Sequence, residues 1–147
     1  MAVDLVVSAV IETPTGPLEL EDWVNGYSLA KEAFATKTVG WRKQEISTIY
    51  VNGVHLVRAA QDNITEAVVV DITGDTQAEL YDRKELLLSG LRQLTYTMTV
   101  TFANHREVWR CFTAGWTEQD EQEWRTAVTS QIRAQVPRLP QVVSSVV

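Results

Sequence analysis

Two histidines, one cysteine and a scatter of carboxylates are the first side chains here to weigh for chemistry. His55 and His105 each fall in or beside a hairpin turn, and neither has a partner at metal-ligand spacing. They read as turn residues, and no metal or cofactor is expected. Cys111 stands in an apolar stretch between Arg110 and Phe112, with no base nominated nearby. A lone cysteine in such a place behaves as a small hydrophobe. Asp71, Asp75, Asp82 and Glu85 crowd one short region. They could form a general acid/base pair, but carboxylates at a helix start more commonly complement its dipole. "GDTQAEL" joins a strand to a helix, as a phosphate loop does, yet it lacks the glycine spacing and the lysine. Asn63-Ile-Thr is a glycosylation sequon only in a secretory setting. No catalytic residue is expected, and the chain is not read as an enzyme.

The elements that carry these residues are mostly strands. "TYTMTVTF", Thr95 to Phe102, alternates threonine with Tyr96, Met98, Val100 and Phe102. Period two makes a strand with one apolar face and one wet face. Residues 3–12 alternate more loosely, and "TPTGP" turns the chain after them. Asn25-Gly26 and Asn52-Gly53 carry the hairpin signature. The second predicts a hairpin of about Gln44–Val51 with Val54–Gln61. Ile64, Val68, Val70 and Ile72 share parity in a further strand. One helix is expected, at about 76–92: Thr76 caps it, Glu79 follows three residues later, and Leu80, Leu87, Leu88 and Leu91 line one face. Gly90 is expected to weaken its last turn. Residues 107–116 return as a strand, and Thr117–Glu123 reads as an acidic loop. The run from Val128 to Val136 fits a strand better than a helix, and "PRLP" is expected to end it. Together these predict a mainly β fold, a β-sandwich with one main helix, as a single domain over 1–136 followed by a tail over 137–147.

Composition narrows the class. The chain of 147 residues is 45% apolar and carries a net charge of −6. That balance suits a globular domain and argues against a general nucleic-acid binder, which needs a basic surface. No apolar run approaches the roughly 20 residues that span a bilayer, so no membrane partner is expected. "MAVDLVVSAVIE" has no basic leader region and reads as a strand rather than a signal peptide. One cysteine excludes an internal disulfide and fits synthesis in a reducing cytoplasm. Five tryptophans can fill a core or anchor an interface.

The order from Ile64 onward resembles a known group. A strand ending at Gly74, the capped helix "TQAELYDRKELLLSGLRQ", the strand "LTYTMTVTF", "REVWRCFTAGW" and a closing "VPRLP" look like small tail proteins of long-tailed bacteriophages. The nearest likeness is to the ring domain of distal tail proteins, which share the tail-tube fold. Trp109-Arg110-Cys111 and the Pro-Arg-Leu-Pro ending resemble minor tail proteins of phages that infect actinobacteria. The likeness covers roughly residues 64–140. It implies a β-sandwich with a flanking helix, assembled into hexameric rings around a DNA channel in the virion tail, after synthesis in the bacterial host cytoplasm. Partners would be further copies and neighbouring tail proteins, with DNA as passing cargo and not bound specifically. Distal tail proteins are usually longer, with a second carbohydrate-binding-like domain, for which this chain has no room.

On that resemblance, intersubunit contacts are expected from the hairpin at Tyr50, Asn52, Gly53 and His55, and from the charge-poor tail at Val142, Val143 and Val146. The channel is expected to be lined by acidic and neutral groups, with Glu45, Ser47, Glu118, Asp120 and Glu121 as candidates. Two other readings remain open: a stand-alone β-rich module binding a peptide or carbohydrate, and a small hydrolase or isomerase with a β-barrel cleft.

Overall fold

The computed structural model describes residues 6–35, 37–39, 41–48, 51–61, 63–123 and 127–146. They form twelve strands and one helix. In chain order these are β1 (Val6–Thr13), β2 (Gly16–Glu19), β3 (Tyr27–Leu29), β4 (Lys37–Thr38), β5 (Trp41–Thr48), β6 (Val51–Gln61) and β7 (Ile64–Gly74). Then come α1 (Gln77–Leu91), β8 (Thr95–Phe102), β9 (His105–Phe112), β10 (Gly115–Glu123), β11 (Ala127–Arg138) and β12 (Val143–Val146). The expected mainly β fold with one helix holds.

Ten strands make one antiparallel sheet in the order β2-β1-β8-β9-β11-β7-β3, with β10 beside β11, β12 beside β9 and β4 beside β7. The sheet nearly closes on itself. Its two ends meet through residues 20–26: the Leu20 N–H donates to Ala9 O, and Asp22 bridges Tyr27. Gly26 makes that return possible with φ +83°, and a Cβ there would sit 2.5 Å from Thr73 O. The Asn25-Gly26 turn is thus where the sequence placed it.

Alternation explains which faces are buried. Tyr96, Met98 and Val100 of β8 point into the core, as do Val68, Val70 and Ile72 of β7 and Ile132, Ala134 and Val136 of β11. Helix α1 closes one end of this core with Leu80, Leu87, Leu88 and Leu91. Thr76 caps it by accepting the Glu79 N–H at 3.1 Å. Gly90 is the next-to-last residue of the helix, which ends at Leu91. It is a contact point, where a Cβ would meet Ile11 Cδ1 and Thr13 Cγ2 at 3.1 Å, so glycine lets the helix lie close on β1.

Two sequence expectations need correction. Thr117–Glu123 is not a loop but most of β10, which pairs with β11 from Gly115↔Gln135 to Glu123↔Ala127. Its backbone ladder holds it, although its side chains show no apolar alternation. Asn52-Gly53 does not connect the second hairpin. Thr48 pairs with Val51 and Ser47 with Val54, so the two residues lie in a register irregularity within β6. "PRLP" does end β11, inside the motif at Arg138. Pro137 pairs with Thr65 and Arg138 with Ile64. Proline is tolerated there because β10 stops pairing at Gln135 and β9 pairs only at Arg138, so Pro137 itself has no ladder partner on that side.

Candidate interaction surfaces

The chain after β11 is positioned by a buried ion pair. Arg138 and Glu66 are 3% and 1% exposed, so neither charge is screened by water. Arg138 donates from Nε and Nη2 to Glu66 Oε1 at 3.3 and 3.1 Å. Its guanidinium also lies 4.5 Å from the centre of the Trp109 ring. Lys37 Nζ approaches the same carboxylate at 3.6 Å. The Leu139 N–H then donates to Arg110 O, which directs the chain back along β9.

There the tail becomes β12. Val143 pairs with Val108, Ser144 with Glu107, Ser145 with Arg106 and Val146 with His105. The tail is therefore an ordered strand, not a dangling segment. Val143 and Val146 are nevertheless 72% and 90% exposed, and they lie on opposite faces. Val142, just before the strand, is also exposed. Among the described residues, only β9 pairs with β12, so its outer edge is open.

Paired residues share a face, and this locates the threonines of β8. Thr99 stands between Val108 and Val10, and Thr101 between Arg106 and Ser8. Thr97 faces Arg110. The half-buried threonine row thus lies on the outer face of the sheet, continuous with Val143 and Ser145 of β12. Arg106 and Arg110 are exposed on it, and neither meets a carboxylate among the described residues.

The expected site residues divide between two sheets. Asn52, Gly53 and His55 belong to β6, and Glu45 and Ser47 to β5. Among the described residues these two strands pair only with each other, Glu45 opposite Leu56 and His55 opposite Ile46. Tyr50 lies outside the described residues. Glu118, Asp120 and Glu121 lie on β10. Glu118 is tied to the helix by Lys84 at 3.3 Å and accepts from Trp116 Nε1. No strand pairing joins the hairpin to β10 or to β12 among the described residues.

The side chains with chemical potential also separate. Burial pushes the Cys111 thiol up to about 12, with Glu66 raising it further and Arg138 opposing, so it stays protonated at neutral pH. Burial likewise raises the Tyr27 hydroxyl to about 12, and it donates to Arg83 O at 2.7 Å. Tyr96 is raised too, by burial, and its hydroxyl has no hydrogen-bond partner among the described residues. Burial is also the main cause that lifts Glu19, with Asp22 and Glu21 adding to it. Asp71 accepts from Gln131, and Glu85 pairs with Arg92 at 3.2 Å, so the acidic cluster read from the sequence does not converge. His105 lies between Asn104 and Glu107 and stacks on Phe102 at 4.6 Å. No group of three His, Cys, Asp or Glu side chains could hold a metal among the described residues.

Opposite α1, a cavity of about 430 Å³ opens at the other end of the sheet. Glu66, Glu107, Lys37, Phe34, Phe102 and Trp109 contribute to its wall. Phe34 crosses this mouth with φ 61°, its N–H donating to Ala67 O and its ring edge-on to Trp109 at 5.6 Å. Sequence reasoning missed both this mouth and β12. Glu66 carried a signal, because it has the parity of the buried Ile64, Val68, Val70 and Ile72.

No protein-family model matches the chain, and no curated protein matches it. No helix among the described residues is long and apolar enough to cross a membrane.

Proposed function

We propose that this chain is a structural subunit of a phage tail, closing with further copies into a ring, hexameric in the virion, around the DNA channel. The observation that carries the proposal is β12. An ordered edge strand with valines exposed on both faces and one unpaired ladder edge is a surface built for a partner. The separate two-stranded sheet of β5 and β6 offers a second extension toward neighbouring tail proteins. The family likeness of the second half supplies the tail setting, and the net charge of −6 suits a channel that DNA must leave without sticking. In this reading DNA is cargo and the chain performs no catalysis. Antibodies raised against the chain should decorate the tails of virions that carry its gene. Labelling confined to the head, or absent from virions, would overturn the proposal.

The cavity behind Phe34 favours a second reading, a β-rich module binding a peptide or carbohydrate. A concave site with aromatic walls and a few charged groups is the usual form of a ligand pocket. Saturable binding of an oligosaccharide or peptide, abolished by Phe34→Ala at unchanged stability, would favour it over the ring.

A further inference from the structure

We infer that the open edge of β12 docks on β10 of a second copy of this chain, head to tail. The inference rests on the ring reading and names its contact.

Most of the other strand edges suit a docking strand poorly. β2 carries Pro17 and spans four residues, so it is a poor template for another strand. β3 and β4 are three and two residues long. By sequence β5 and β6 carry Arg42, Lys43 and Arg58 against the one carboxylate Glu45, a net positive pair of strands that does not complement the exposed Arg106 and Arg110 beside β12. β10 remains. It spans nine residues without proline, and among the described residues it pairs on one side only, with β11.

Charge decides for the same edge. "GWTEQDEQE" holds Glu118, Asp120, Glu121 and Glu123 and no cation. The β9–β12 surface presents Arg106 and Arg110 with no carboxylate partner among the described residues, and β12 has no charge of its own. An acidic edge meeting a basic one is complementary in potential, and ladder pairing would cover Val143 and Val146. A β12-to-β12 contact would instead bring two arginine-flanked edges together. Donor edge and acceptor edge are different strands, so each copy keeps one of each for the next. A contact of that kind is heterologous and generates a ring when its rotation closes.

The test uses full-length variants with one engineered thiol on each edge. Ser145→Cys is combined with Glu118→Cys or with Gln119→Cys, exposed positions on the two faces of β10. The protein is then treated at high concentration with a short bismaleimide. Cys111 is fully buried and does not report. At least one double variant should give a ladder of linked copies ending at a closed ring, while Ser145→Cys alone gives none. Dimers from Ser145→Cys alone would show a two-fold β12 contact and overturn the inference. No product from either double variant would overturn it as well. A ladder that runs on without a closed limit would keep the β10–β12 contact and contradict the ring reading instead.

Discussion

Removing Arg138 should expose how this fold tolerates a buried carboxylate. In Arg138→Met, Glu66 keeps only Lys37, at 3.6 Å and half exposed, as a counter-charge. Breaking a buried ion pair from one side costs about 3–5 kcal/mol, because the remaining charge stays desolvated. The residual Lys37 contact places the expected loss near the lower end, about 3 kcal/mol. At about 2–4 °C per kcal/mol for a domain near this size, the Tm should fall by roughly 6–12 °C. Urea unfolding should show a lower midpoint at unchanged slope, which is the mark of lost stability and not of a changed denatured state. Replacing both partners, Glu66→Leu with Arg138→Met, removes the stranded charge. That variant should recover to within about 1–2 kcal/mol of the parent, the remainder reflecting the lost stacking on Trp109. If the double variant is as unstable as Arg138→Met alone, charge compensation is not what the pair provides.

Other outcomes follow from single contacts. Gly90→Ala should fail to give the usual helix gain of about 1 kcal/mol, because the new Cβ presses on Ile11 and Thr13; thermal unfolding checks this. The Cys111 thiol should resist a thiol reagent at pH 8 in the folded chain and react once the chain is unfolded in urea. Its folded pKa of about 12 lies above the ordinary 9.0, so its stabilising contribution is complete below pH 9 and is lost as pH rises toward 12. Tyr27, raised from 10.0 to about 12, acts in the same direction, so urea midpoints should fall across that alkaline window. Deleting Gln141–Val147 removes side chains that are mostly in water, so the Tm should drop by only a few degrees while assembly is lost. A large Tm drop with normal assembly would reverse those roles.

How much of this was legible depended on whether a strand meets the core on one face. "TYTMTVTF" was readable because Tyr96, Met98 and Val100 are buried while the threonines share the outer face with Arg106 and Arg110. The helix was readable from its cap and its leucines. β10 was not, since Glu118 and its neighbours give no apolar rhythm, and its strand state comes from backbone pairing with β11. β12 was hidden for the same reason: Ser144 and Ser145 separate its valines, and all four residues are exposed. Asn52-Gly53 carried a true distortion signal at the wrong place, a break in the ladder instead of the connecting turn. Of the buried pair, Glu66 was visible from strand parity. Arg138 was visible only as the one charge in the tail, and nothing in sequence says that two residues 72 positions apart must meet.

The most direct test of the central claim is a symmetry-free reconstruction of the virion tail. A ring of this chain around the channel, six-fold symmetric and with β12 at the boundary between copies, is the expected result. A single copy decorating the outside of the tail would contradict the account.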